Sequence, residues 1–315
     1  MLIAMLAAAP ASMALAQTPR TITLRIDNDA FDFWMLPWNR PDEEYSSGVH
    51  ITYDGGDAPW WSRRMLRQFV PCTTSNRDCR MGRAEIGQDL YTPATSMSNP
   101  LPAAGSRPNA GWLYISQTAQ SLRWARSDEV TLAVGVTGGP SLGKFTQTLA
   151  HSVAPTFNRP SDWTGQVGFE PGVVVRYEQR RRLGLDDHAI GFDVIPRMSV
   201  TAGNVSTNAE VGVQTRTGWH LRHPWLPRDG PLEISLTGGV SARAVARDLF
   251  LDGNTFSDGP HVGHETFVGS GELGVQMRFR ALSLAYRAVN DTRSYAAGPK
   301  WHPWASIVGA VTFGY

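Results

Sequence analysis

The sequence predicts an all-β fold, a single transmembrane antiparallel β-barrel of about twelve strands with a short helix in one extracellular loop. Segments of alternating polarity recur along the whole chain, the last of them ends on an aromatic residue, and the connections between them alternate in length. The clearest segment runs through Phe267, Gly269, Gly271, Leu273, Val275, Met277 and Phe279, set against Ser270, Glu272, Gln276, Arg278 and Arg280. A period of two belongs to a strand with one greasy and one polar face. Such a strand serves a soluble sandwich as well as a membrane barrel, so number, length and connections must decide.

Residues 1–16 form an apolar run closing on Ala14-Leu15-Ala16, a secretory cleavage signature, so the mature barrel is expected to span 17–315. No Lys or Arg precedes the run, a departure from an ordinary signal, so the start codon is expected to lie upstream or to have been mis-called. Ile22, Leu24 and Ile26 then alternate with Thr21, Thr23 and Arg25, and Val49, Ile51 and Tyr53 with His50 and Thr52. Weaker candidates lie near 86–91 and 112–122. Clear alternation returns at Val130–Val136, Val173–Tyr177, Ile190–Val194, Val211–Val213, Leu232–Leu236, Val240–Ala246, Leu282–Tyr286 and Ile307–Tyr315. Each approaches the nine to eleven residues that a tilted strand needs to cross a bilayer. The connections near 29–44, 93–110, 138–165, 248–265 and 290–304 are long, whereas 125–129 and 280–281 are short turns, as expected of outer loops and periplasmic turns. The inward connection 54–84 is the exception. It carries Trp60, Trp61, Arg63, Arg64 and Arg67 and is expected to fold into a small periplasmic helix. Trp112, Tyr114, Trp124, Trp219, Trp225, Trp301 and Trp304 fall near strand ends and are expected to form aromatic girdles.

Composition excludes other classes. The chain is 42% hydrophobic with a net charge of +1, which gives no footprint for nucleic acid, and no run of eighteen apolar residues follows the leader. Cys72 and Cys79, the two cysteines, are expected to form a disulfide in an oxidising compartment, a local staple of about 2.5 kcal/mol. Zinc is the weaker alternative, since no His or further Cys lies nearby at zinc spacing.

Chemistry concentrates at the strand tips. Ile26-Asp27-Asn28-Asp29 ends the first strand and Tyr45-Ser46-Ser47-Gly48 opens the second, although tight turns favour such residues for backbone reasons alone. Gln147 and His151, in the connection after the fifth strand, share a face if 141–151 is helical, with Gly138-Gly139-Pro140 turning the chain into it.

In these residues the sequence resembles the calcium-dependent lipid A 3′-O-deacylases of Gram-negative outer membranes. Asn28-Asp29, Tyr45-Ser46-Ser47-Gly48, Gln88-Asp89-Leu90-Tyr91-Thr92-Pro93 and Gln147-Thr148-Leu149-Ala150-His151 stand in the family's order, and Trp163, Gln166 and Gly203-Asn204 also match. The resemblance covers essentially the mature chain. It implies an outer-membrane esterase that removes the 3′ acyloxyacyl chain of lipid A. Calcium would be held by Asp29, Asn28 and Asp27, His151 would activate water, Gln147 would orient the imidazole and Ser46 would assist. Lipid A or lipopolysaccharide is the implied partner, with surrounding outer-membrane lipids; the sequence does not fix the oligomeric state, for which a monomer is the expectation. Two departures stand out: Ser46 replaces the usual Thr, and residues 94–102 hold no Lys where the family carries one, leaving Arg107 and Lys144 as candidate substrate-binding cations. Strict alternation also sends Asp27 and Asp29 inward but Asn28 outward, which a bulge at the rim would reconcile. The rival readings are a Ser46 or Ser47 nucleophile, and a channel or structural barrel without catalysis. Calcium-dependent ester release separates the three.

Overall fold

The computed structural model describes residues 19–31, 44–57, 60–61, 81–93, 104–153, 162–185, 190–226 and 230–314. The leader, the expected processing site and both cysteines lie outside the described residues. Thirteen strands are described: β1 Arg20–Asn28, β2 Glu44–Asp57, β3 Met81–Thr92, β4 Ala110–Leu122, β5 Arg126–Thr137, β6 Pro171–Arg181, β7 Leu183–Leu185, β8 Ile190–Gly203, β9 Ser206–Trp219, β10 Glu233–Asp248, β11 Phe267–Phe279, β12 Leu282–Thr292 and β13 Trp301–Phe313. β7 is a three-residue stub on β8, and the other twelve form the wall. Every pairing is antiparallel, and β1 pairs with β13 while β6 pairs with β8, so the sheet closes without an edge. Among the described residues no helix is long and apolar enough to cross a membrane.

Alternation is expressed as a bare apolar exterior. Its outward positions are filled by residues such as Leu24, Ile51, Ile86, Ile115, Val134, Val173, Val211, Leu273 and Val311, all between 40 and 64% exposed, the outer belt that a membrane barrel presents to lipid. The opposite parity fills the interior with ion pairs, some of them buried. Asp193 is shared by Arg182 and Arg216 at 2.8 and 3.0 Å, and Arg216 reaches Glu233 at 3.1 Å. Arg83 joins Asp54 and Glu129 at 2.7 and 3.0 Å. At the mouth, Trp112, Val167, Val205, Leu249 and Phe250 form an apolar plug, the last two from the one-turn helix Leu249–Asp252, with Tyr91 stacked on Phe250 at 4.7 Å.

The long connections do fall on one rim and the turns at 123–125 and 280–281 on the other. The girdle expectation needs correction at four positions, the first being Trp225, which is half-buried outside any strand and donates from its indole to the Arg123 carbonyl at 2.7 Å. Trp124, Trp219 and Trp301 are exposed, but Trp112 is buried in the mouth, Tyr114 reaches Glu85 inside the barrel, and Trp304 donates to Asp291 at 2.8 Å while meeting Tyr45 edge-on. Parity decides this: Trp112 and Tyr114 alternate with exposed Ile115. In the exceptional inward connection, residues 60–61 are helical and Trp61, like Tyr177, packs against the cluster of Ala119 and Val130.

Candidate active site on the outer wall of the barrel

The site is built by alternation and one break in it. In β1 the register runs unbroken to Asn28, so Asn28 shares the outer face with Ile22, Leu24 and Ile26 while Asp27 is buried on the lumen side. The break lies in β2, where a bulge falls between Tyr45 and Ser47. A bulge inserts one residue and re-aims its neighbours. Tyr45 is turned inward, and its hydroxyl contacts both Asp27 and Asp89 at 2.9 Å. Ser46 and Ser47 both reach the outer side beside Asn28, whose amide donates to the Ser46 carbonyl at 2.6 Å. Gly48 makes room for this turn: a Cβ there would overlap the Tyr45 hydroxyl.

The same alternation divides the segment Gln88 to Thr92. Gln88, Leu90 and Thr92 follow Ile86 on the outer face, whereas Asp89 and Tyr91 point inward. Gln88 donates to the Ser141 carbonyl at 2.6 Å, and the Thr92 hydroxyl meets the Ser46 hydroxyl. Inside, Asp89 approaches His50 at 3.3 Å, and His50 approaches Asp27 at 3.6 Å.

Over this outer face lies helix α1, Gly143–Val153, entered through the 3-10 turn Gly139–Ser141. Gly138 and Leu142 take positive φ values of 70° and 61°, which reverse the chain onto the wall. The helix docks closely because Gly111 faces Ser141 and Gly143 faces Leu90 and Trp163, with no space for a Cβ at either glycine. Trp163 donates from its indole to the Gln147 amide oxygen at 2.7 Å, fixing the orientation of that side chain. Gln147 and His151, one turn apart, therefore face the wall.

Between wall and helix runs a cleft. Asn28, Ala30, Ser46, Ser47, Leu90 and Thr92 line one side, and Thr146, Gln147, Ala150 and His151 the other. Four residues selected from the sequence, Asn28, Ser46, Gln147 and His151, thus come together from three elements. Thr92 and Thr146 were missed as site residues, though the position of Thr92 on the outer parity of β3 was readable.

The other candidates are placed elsewhere. Asp29 is buried in the one-turn 3-10 helix Asp29–Phe31 immediately after Asn28. Asp27 is separated from the cleft by the strand itself. Arg107 is buried at the mouth, 3.3 Å from Glu44 and stacked on Tyr91, and so is committed to the fold. Lys144 is exposed on α1 and helps hold the Asp162 carboxyl below its ordinary range, after the larger effects of the Thr164 amide and hydroxyl.

Among the described residues, no three His, Cys, Asp or Glu side chains are grouped to hold a metal. Calcium, however, also takes amide, hydroxyl and carbonyl oxygens. The cleft oxygens of Asn28, Ser46 and Thr92 fit a hard cation by type, as does the carboxylate of Asp29, the next residue along the chain from Asn28, and they do not fit zinc.

A sequence model of the family described as outer membrane protein LpxR matches residues 1–313. The chain belongs to the LpxR family. This is the lipid A 3′-O-deacylase family that the motifs resemble, and the chain is an outer-membrane β-barrel. No curated protein sequence gives a match. Among solved structures, LpxR from Salmonella typhimurium superposes with a TM-score of 0.75 at 16% identity, over 93% of this chain and all of that one, which shows a shared fold. The β domain of the Bordetella autotransporter Brka covers 95% of this chain and all of its own at 10% identity, with a TM-score of 0.45.

Proposed function

We propose that the protein is an esterase that hydrolyses the 3′-linked acyloxyacyl chain of lipid A in the outer leaflet. One observation carries this reading: Asn28, Ser46, Gln147 and His151 meet in a cleft that opens on the lipid-facing side of the wall, not into the lumen. A substrate anchored in the bilayer by its acyl chains reaches such a cleft laterally. The long connections on the same rim support an extracellular orientation.

In the mechanism, His151 accepts a proton from water as the oxygen bonds to the ester carbonyl carbon. The tetrahedral species collapses by breaking the bond to the sugar oxygen, which takes the proton back and leaves as the 3′ hydroxyl. Gln147, held by Trp163, borders the same face of α1, while the Ser46 and Thr92 hydroxyls and Asn28 form the polar wall against which the ester lies. Asn28 and Asp29 are the residues that would hold calcium, which supplies positive charge to the carbonyl oxygen as negative charge develops there. Lys144, exposed on α1, is a cation available to lipid A phosphate among the described residues.

The contact of the Ser46 hydroxyl is with Thr92, a group that cannot serve as a base, which favours water over serine as nucleophile. The apolar plug and the interior ion pairs disfavour conduction through the barrel. Mass spectra of lipid A from expressing cells test the reading. Loss of the 3′ acyloxyacyl mass is expected with the native protein and not with His151→Ala, which should remain a heat-modifiable barrel and lose about 10²–10⁴ in rate. Deacylation at the native rate by His151→Ala overturns the mechanism.

A further inference from the structure

The outward side of α1 carries an apolar stripe beside exposed Thr148 and Ser152, which a helix over a polar extracellular loop does not require. Phe145 and Leu149 are spaced i, i+4 and are 66 and 51% exposed, and Leu142, at the helix entrance, is 52% exposed. Successive residues turn by about 100°, so Phe145 lies about 200° from Gln147. The stripe therefore points away from the wall that Gly143 and Gln147 contact. Beside it, Phe169, on the outer parity of the chain leading into β6, is 61% exposed.

The place of this stripe fixes its environment. α1 is seated on the outer face of β3 and β4, against Leu90 and Gly111. Four residues along the same strands, about 13 Å lower at 3.3 Å per residue, Ile86 and Ile115 belong to the bare lipid belt. On β5 and β6 the belt continues through Val134 and Val173 towards Phe169. The apolar face of α1 is thus continuous with a surface that lipid already covers, and Lys144 flanks it where an anionic headgroup would lie.

We infer that α1 is an interfacial helix whose Leu142, Phe145 and Leu149 embed in the acyl layer of the outer leaflet, forming the lip over which a lipid chain reaches the cleft. The embedding rests on the barrel alone; the role as a lip rests on the proposed esterase activity. An amphipathic helix of this kind binds through its buried apolar area and flanking cations. Its insertion keeps the cleft between wall and helix open to lipid.

Two measurements keep these parts distinct. Nitroxide labels at Phe145→Cys, Leu149→Cys and Asp162→Cys, in a Cys72→Ser, Cys79→Ser background checked for heat-modifiability, are read in phosphatidylethanolamine/phosphatidylglycerol vesicles. Labels at 145 and 149 should favour oxygen over a water-soluble nickel relaxant, and the label at 162 the reverse. Equal nickel accessibility at 145, 149 and 162 overturns the embedding, as does protection from both relaxants that grows with protein concentration, the sign of a second copy on this face. Quenching by brominated lipid of Phe145→Trp against the native protein, with the cysteines intact, gives the same reading if the serine background does not fold. The lip is tested with Phe145→Ser/Leu149→Ser, which should lose at least tenfold of deacylation on vesicle lipid A while matching the native protein in detergent micelles. Equal loss in both media overturns the lip and leaves the embedding to the labels.

Discussion

At the scale of the residue, the site depends on a tyrosine that points the wrong way. Tyr45 belongs by parity to the outer face, and the bulge sends it inward to Asp27 and Asp89, which frees the outer face for Ser46. Gly48 is the condition for that turn. In Gly48→Ala the new methyl would overlap the Tyr45 hydroxyl and lie 2.8 Å from His50 Nε2. Overpacking of this kind costs about 1–3 kcal/mol, and here it should also disturb Ser46 and lower activity. Urea unfolding in vesicles measures the cost, and Gly48→Ala/Tyr45→Phe should be more stable than Gly48→Ala because the clashing hydroxyl is gone; strictly additive losses would reject this account. The bulge expected from the sequence to reconcile Asp27, Asn28 and Asp29 lies in β2 rather than β1. Alternation treats each residue alike, and the reason for the break is spread over Gly48, Asp27 and Asp89 on three strands. Asp29 follows from the same tip: with one carboxylate among neutral oxygens, its removal should abolish a calcium-dependent rise in the unfolding midpoint. Chelation should stop deacylation by the native protein and added calcium restore it. A calcium-induced rise that survives in Asp29→Ala would exclude Asp29 as the anionic ligand.

At the scale of the element, α1 was legible because Gln147 and His151 require a helix to share a face and Gly138-Gly139-Pro140 announces its entrance. What holds it was not legible, since Gln88, Leu90, Gly111 and Trp163 come from separate segments that only the barrel brings together. The matched Asn204 likewise gained its reason only in three dimensions. With Thr255 and Asn254 it donates to buried Glu170, at distances of 2.7, 2.6 and 3.3 Å, tying three rim connections together. Burial alone would raise the Glu170 carboxyl, but these donors outweigh it and hold it below its ordinary value of 4.5. A depressed native value means that the unfolded chain binds the proton first, so the stabilisation is complete above about 4.5 and is lost as pH falls through the lower native value. Hydrogen exchange in 166–170 and 253–256 should therefore accelerate as pH is lowered below 4.5, beyond the intrinsic change. In Glu170→Gln that extra pH dependence should vanish. If it persists there, the rim is held by another titrating group.

At the scale of the whole molecule, the barrel reverses the usual arrangement, with apolar side chains outside and charges within. The sequence made this readable, because period two with a charged partner face repeats in almost every strand, and the twelve wall strands and their long and short connections follow from it. The partners of the interior charges were not readable, since cross-strand pairs such as Arg216 with Asp193 depend on register. A buried ion pair is weak evidence for net stability, because desolvation offsets most of the attraction, but removing one partner leaves the other unpaired in a dry interior. Asp193 tests this most severely. It is fully buried and shared by Arg182 and Arg216, while Glu233 takes Arg216 and, at 3.5 Å, Arg278. Three arginines thus face two carboxylates, and Asp193→Ala would leave three against one. A loss of about 3–5 kcal/mol is expected from unfolding of the variant in vesicles, far above the roughly 0–1 kcal/mol of a solvated pair. Adding Arg182→Met removes the charge stranded by the first change and should recover part of that loss. A loss below about 1 kcal/mol in Asp193→Ala, with no recovery in the double variant, would mean that water screens the interior as it does a surface. The interior ion pairs would then no longer argue against a conducting lumen.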